Sequence, residues 1–180
     1  MDDLGTKLDY TDYCSIPEDG HRHEIIDGAH FVNPAPSPRH QSASLHLAVE
    51  LVAAIEKAGL GRVLTAPIDV QFSKHDIVQP DLVVMLADNV QIIAESRIIG
   101  APDLVIEILS PSTAKHDRER KFTLYEKSGV HEYWLVDTSE QSVAQFALSD
   151  GRYERAVNSR ERIRLRVLPE VTIDLSRIWG

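Results

Sequence analysis

The alternation of apolar and polar positions divides the chain into a short series of elements. Residues 22–32 read as a hairpin, with HEII and AHFV flanking Asp27-Gly28, a pair suited to a tight turn. Pro34, Pro36 and Pro38 then end the strand. Over residues 39–58, Leu45, Val49, Val52 and Ile55 recur at helical spacing and predict a helix with one buried stripe, stopped by Gly59 and Gly61. Strands are expected near residues 63–72, 78–86 and 104–109. The last two are too uniformly apolar to keep a wet face, which makes them central strands covered on both sides.

Residues 110–129 predict a second, highly charged helix, with Ser112 and Thr113 as cap candidates and Gly129 at its end. The strand at residues 132–136 lies far enough from Leu109 for a crossover helix, so the two strands should be parallel in a right-handed β-α-β unit. Alternating segments at 143–148, 152–157 and 162–167, with Ser149-Asp150-Gly151 as a turn, predict an antiparallel C-terminal extension. No repeat or long linker divides the chain. The expected organisation is a single domain over residues 21–180 with an N-terminal extension, residues 1–20.

At 180 residues, 43% hydrophobic and 26% charged, the chain can bury a core without disulfides. No apolar run approaches the roughly 18 residues needed to span a bilayer. The start, MDDLGTKLDYTDY, has neither a basic head nor an apolar stretch, so a cytoplasmic location is expected, away from membranes. Cys14 stands alone and reads as an incidental thiol, and His21 and His23 lack further ligands at zinc spacing. A net charge of −9 argues against casual nucleic-acid binding. The charge is uneven, with 7 Lys+Arg against 17 Asp+Glu in residues 1–110 and 12 against 11 thereafter. A phosphate-facing surface is therefore expected in the C-terminal part, on Lys115, Arg118 and Arg120 or on Arg160, Arg162, Arg164 and Arg166, which would share one face of a strand.

The chemistry concentrates in residues 102–137. Glu107 interrupts an apolar strand between Val105-Ile106 and Ile108-Leu109, where a carboxylate loses its hydration unless a cation or several donors replace it. Asp81 heads another apolar run in QPDLVVML, and Lys121 lies in the helix that follows Glu107. Two acids and a lysine are the minimum parts of a site that holds a divalent metal and splits a phosphodiester. Mg²⁺ (or Mn²⁺) prefers oxygen ligands and keeps several waters. Asp81, Glu107 and a backbone carbonyl such as that of Ile108 would leave positions for substrate and nucleophile, with Lys121 polarising the water or stabilising the phosphate. The plainer readings are a strand-start role for Asp81 and a buried structural pair between Glu107 and Lys121. Ser110, Ser112 and Thr113 lack a histidine and acid at relay spacing, and Trp134 in EYWLVD reads as a core residue.

The segments HEIIDG, Pro80-Asp81 with its apolar strand, PDLVIEILSPST and DRERKFTLYEKSGVHEYWLVD together resemble the Uma-two branch of the PD-(D/E)XK restriction-endonuclease-like superfamily, over residues 20–175. The resemblance implies an α/β fold with a central mixed sheet flanked by helices, and Asp81 and Glu107 as metal ligands. The lysine usually found two residues after the second acid is replaced here by Leu109, and the chain resembles members in which Lys121, on the following helix, takes that place. Glu24 of HEIIDG matches a further motif as a third acidic group, with a hairpin salt bridge as its alternative role. The function implied is a Mg²⁺-dependent endonuclease acting on DNA. A catalytically inactive interaction or nucleic-acid-binding module of the same fold is the alternative. Self-association as a homodimer would supply the two sites that cutting two strands needs.

Overall fold

The computed structural model of the protein describes residues 7–110 and 116–179. Thirteen strands are present among them: β1 (Arg22–Ile26), β2 (Ala29–Asn33), β3 (Gly61–Thr65), β4 (Val70–Ser73), β5 (Asp76–Val78), β6 (Leu82–Leu86), β7 (Ile98–Ile99), β8 (Leu104–Ile108), β9 (Glu132–Asp137), β10 (Ser142–Ser149), β11 (Arg152–Ser159), β12 (Arg162–Arg164) and β13 (Thr172–Asp174). The helices are α1 (Tyr10–Cys14), α2 (Pro38–Leu51) and α3 (Phe122–Lys127).

A six-stranded mixed sheet, ordered β11-β10-β9-β8-β6-β3, forms the centre, and only the β8–β9 pair in it is parallel. The helix connecting β8 to β9 makes the expected β-α-β unit. A five-stranded sheet, β2-β1-β5-β4-β7, lies over one face. Side chains alternate across the central strands, so Leu82, Val84, Leu104, Ile106 and Ile108 pack with α2 and the C-terminal segment. Val83, Met85, Val105 and Tyr133 face α3 and the second sheet. Both faces are thus covered, as the uniformly apolar strands require.

The β1–β2 hairpin turns at Asp27 and Gly28 with φ of 52° and 75°, the left-handed pair a tight turn of this kind needs. Helix α2 begins with Ser37 accepting from the His40 amide and Pro38 in its first turn, and runs on into a π-helical turn, Val52–Glu56. The described part of the segment before residue 21 is tied to the second sheet, where the Leu8 amide donates to Gly28 and the Tyr13 hydroxyl to Asp69.

Four expectations are corrected. The buried stripe of α2 is Ala43, Leu47, Leu51 and Ile55, whereas Leu45 and Val49 are 64% and 56% exposed. Ile55 is buried as expected, but apolar residues occupy two faces of this helix, and spacing alone put Leu45 and Val49 on the wrong one. Residues 63–72 and 78–86 each split into two strands at Pro67 and Pro80, because proline has no N–H to extend a ladder. The helix expected over residues 110–129 is observed as a π-helical turn, Asp117–Lys121, followed by α3, and Ser112 and Thr113 lie outside the described residues. Residues 162–167 do not extend the central sheet, since β12 pairs with β13 in a separate ribbon.

Candidate active site

Register and alternation bring the two acids together. Strands β6 and β8 are antiparallel neighbours with Leu82 opposite Ile106, so Asp81 and Glu107 stand across from each other one step further on. Their odd-numbered positions put both side chains on the face that carries Val83 and Val105, beneath α3 and the second sheet. Asp81 is buried and accepts from the Ile108 amide at 2.8 Å, from Arg22 Nη1 at 2.9 Å, and pairs with His40 Nε2 at 3.1 Å. Burial alone would raise its carboxyl, but His40, Arg22 and the Ile108 amide outweigh that and hold it below the ordinary value.

Glu107 is 1% exposed. One of its oxygens accepts from Lys121 Nζ at 2.9 Å and from the Tyr125 hydroxyl at 2.6 Å. The same ammonium lies 2.8 Å from Glu24 Oε1 and 3.9 Å from Asp117 Oδ1. Burial pushes the Glu107 carboxyl up to about 8; Lys121 pulls it down, while Asp117, Asp81 and Glu24 add to the rise. Glu24 goes the other way, because Lys121, His116 and the Gln79 amide together overcome its burial. Lys121 is buried yet held above the ordinary lysine value by Glu107, Glu24 and Asp117. The π-helical turn sets Asp117 and Lys121 on the same side, aimed at the sheet, and the hairpin strand β1 delivers Glu24 and Arg22 from above.

Among the described residues, four buried acids, Glu24, Asp81, Glu107 and Asp117, therefore gather around two permanent cations, Lys121 and Arg22. Asp81, Glu107 and Asp117 open onto a small pocket of about 20 Å³, enough for one water or one ion, whose wall includes Arg22, Asn33, His40, Ile108 and Ser110. Among the described residues no three acid or histidine side chains converge as a ready metal cage. A hard divalent cation still fits the donor set. The donors are carboxylate oxygens in excess of nearby positive charge, and Mg²⁺ commonly takes one or two carboxylates and fills its shell with water.

The chain matches a family described as "Putative restriction endonuclease", Uma2, over residues 9–176. It belongs to the Uma2 family. The crystal structure of a putative nuclease belonging to DUF820 from Anabaena variabilis has the same fold, with a TM-score of 0.78 at 20% identity, covering 96% of this chain and 97% of that one. No curated protein matches the chain.

In this Uma2 chain the sequence candidates Glu24, Asp81, Glu107 and Lys121 fall into one cluster. Glu24 pairs with Lys121 rather than within its hairpin. Lys127 pairs with Asp76 at 3.9 Å, away from the acids, and Lys115 lies outside the described residues. Ile108 lines the pocket, and its amide is committed to Asp81. The reading of residues missed Arg22, His40, Asn33 and Tyr125; the first three lie on segments distant in sequence from both acids, and only pairing of those segments brings them in. Arg118 lies 3.5 Å from Asp137, and Arg120 stacks over Phe31 at 4.6 Å. The row of arginines from 160 to 166 is broken up, since only Arg162 and Arg164 lie in a strand and Arg160 pairs with Glu140 at 3.2 Å. Trp134 is a core residue, its indole N–H donating to Glu132.

Proposed function

We propose that this protein is a Mg²⁺- or Mn²⁺-dependent endonuclease of PD-(D/E)XK type that hydrolyses DNA phosphodiester bonds in the cytoplasm, acting as a homodimer when both strands are cut. The observation that carries the reading is the placement of Asp81 and Glu107 on one sheet face at neighbouring strands with Lys121 hydrogen-bonded to Glu107. Asp81, Glu107 and the Ile108 carbonyl would hold the cation, which when bound supplies charge neutralisation and a more acidic water. Lys121 keeps its proton, fixed between Glu24 and Glu107, and so places a permanent positive charge where the non-bridging phosphate oxygens gain negative charge. Tyr125 and Glu24 hold Glu107 and Lys121 in position, and the apolar residues of both sheets around them limit the water that could screen these charges.

A second reading, a catalytically inactive module of the same fold, draws support from Asp81 itself, whose two oxygens already have three partners. Thermal melting with added Mn²⁺ separates the two, combined with nicking of supercoiled plasmid. The nuclease reading expects Mn²⁺ to raise Tm in the wild type but not in Asp81→Asn or Glu107→Gln, and nicking to be lost in Lys121→Met while a fold-sensitive signal remains. Mn²⁺ stabilisation that survives both acid substitutions favours the inactive module.

A further inference from the structure

The pocket beside the acids also contains donors without acceptors. Arg22 spends Nη1 on Asp81, but its Nε is buried with no hydrogen-bond partner among the described residues. The same is true of Nδ2 of Asn33, a residue only 5% exposed. The two residues are directly opposed in the β1–β2 ladder, so their side chains leave the hairpin on the same side, and both line the pocket that contains Asp81, Glu107 and Lys121. An orphaned buried donor is costly, and two of them side by side at a pocket wall call for an acceptor from outside the chain. Arg22 is 23% exposed at its side chain, so it reaches the opening, whereas Asn33 lies deeper.

The missing acceptor is an oxygen that projects from outside into a pocket of about 20 Å³. A phosphodiester supplies this. Its non-bridging oxygens accept from a guanidinium and an amide at once. Among the cations that the charge distribution favours for DNA, Arg118 pairs with Asp137, Arg120 stacks on Phe31 and Arg160 pairs with Glu140.

We infer that Arg22 and Asn33, paired across the first hairpin, form the phosphate-oxygen subsite of this centre and hold the scissile phosphodiester of the substrate against Asp81, Glu107 and Lys121. This rests on the nuclease reading above and adds to it the residues that touch the substrate. Arg22 serves two partners, keeping Nη1 on Asp81 while presenting Nε to the phosphate. Asn33 adds a neutral donor, so the subsite attracts an anion without adding to the charge that opposes a metal at Asp81 and Glu107.

The test measures binding of a fluorescein-labelled DNA duplex at low salt, with Ca²⁺ as a non-productive ion, for the wild type, Arg22→Gln and Asn33→Asp. Asn33→Asp keeps the shape of the side chain and exchanges the donor for an acceptor. Each variant is expected to weaken binding at least tenfold. Mn²⁺ binding, followed in parallel by loss of the free-ion EPR signal, should be retained in both and strengthened in Arg22→Gln, which loses the cation competing at Asp81. Asn33→Leu provides a control on folding. If the amide is there for a ligand, this variant melts no lower than the wild type and still binds DNA weakly; a large drop in Tm would assign Asn33 a structural partner and overturn its part in the subsite. Variants that bind the duplex as the wild type does would show that only water meets these donors, sinking the subsite while leaving the metal site standing. A wild type that takes up Mn²⁺ but no duplex overturns both the subsite and the assignment of DNA as substrate.

Discussion

Glu107 and Glu132 are buried glutamates on adjacent parallel strands, 1% and 0% exposed, and they are accommodated in opposite ways. Glu132 accepts from Trp134 Nε1 at 2.6 Å, Gln145 Nε2 at 2.5 Å and the amides of Arg166 and Val167 at 2.7 and 2.9 Å. All four donors are neutral and all are fixed by the fold. Glu107 has two donors on one oxygen, one of them the ammonium of Lys121, and three other acids contribute to its titration. A carboxylate fully supplied with donors stabilises the structure and has little to offer a ligand. One crowded by like charges is left dependent on its cations, and that makes it the better candidate for a working residue.

The sharpest way to break the comparison is to remove each carboxylate. Glu132→Ala takes away the acceptor shared by four donors at once, and chemical denaturation should show a loss of about 3 kcal/mol or more. Glu107→Gln should cost far less, because the amide keeps most of the shape and an oxygen to accept from Lys121 and Tyr125. Equal losses in the two variants would show that Glu107 is as structural as Glu132.

The next effect is the response to metal. Mn²⁺ at a hundredfold excess over its Kd should stabilise the wild type by about 2.7 kcal/mol. A Glu132→Gln variant that still folds should keep this gain, and Glu107→Gln should lose it. A gain that disappears with Glu132 and persists without Glu107 would reverse the assignment.

The pH dependence gives the smallest change per measurement step, because it is spread over several pH units. With its carboxyl raised to about 8, Glu107 holds a proton in the folded state that it has lost in the unfolded state above its ordinary value of 4.5. The metal-free protein should therefore lose stability as pH rises between these values, by up to about 1.4 kcal/mol per pH unit. Glu24 and Asp81 are held low and act in the opposite sense, their contribution being present above the ordinary carboxylate range and lost as acid protonates them. Subtracting the Glu107→Gln melting curves from those of the wild type between pH 5 and 8 isolates the first effect. A difference that does not change with pH would place a charged Glu107 in the resting protein.

Much of the framework was readable from local pattern. The Asp27-Gly28 hairpin, the central position of β6 and β8, the crossover to β9 and the anomaly of Glu107 all follow from alternation, turn chemistry and the cost of burying a charge. Lys121 lies on the helix after Glu107, and the family resemblance singled it out from the other lysines there. What stayed hidden depends on distant segments. Arg22 and His40 reach Asp81 from 59 and 41 residues away, and no spacing rule relates such positions. The second sheet escaped notice because Pro67 and Pro80 sit inside apolar runs that otherwise read as single strands. Glu132 stands at the start of its strand with donors on β9 itself, on β10 and at residues 166–167, and no local pattern marks it.

The partners of Glu132 also impose an order of assembly. Its two amide donors lie 34 and 35 residues further along the chain. During synthesis β8, α3 and β9 can emerge and pair while these donors are still missing, so the carboxylate must remain hydrated and the sheet face around Trp134 cannot close. Sealing that face waits for residues 164–167, which leaves the growing chain with an open apolar sheet until that segment arrives.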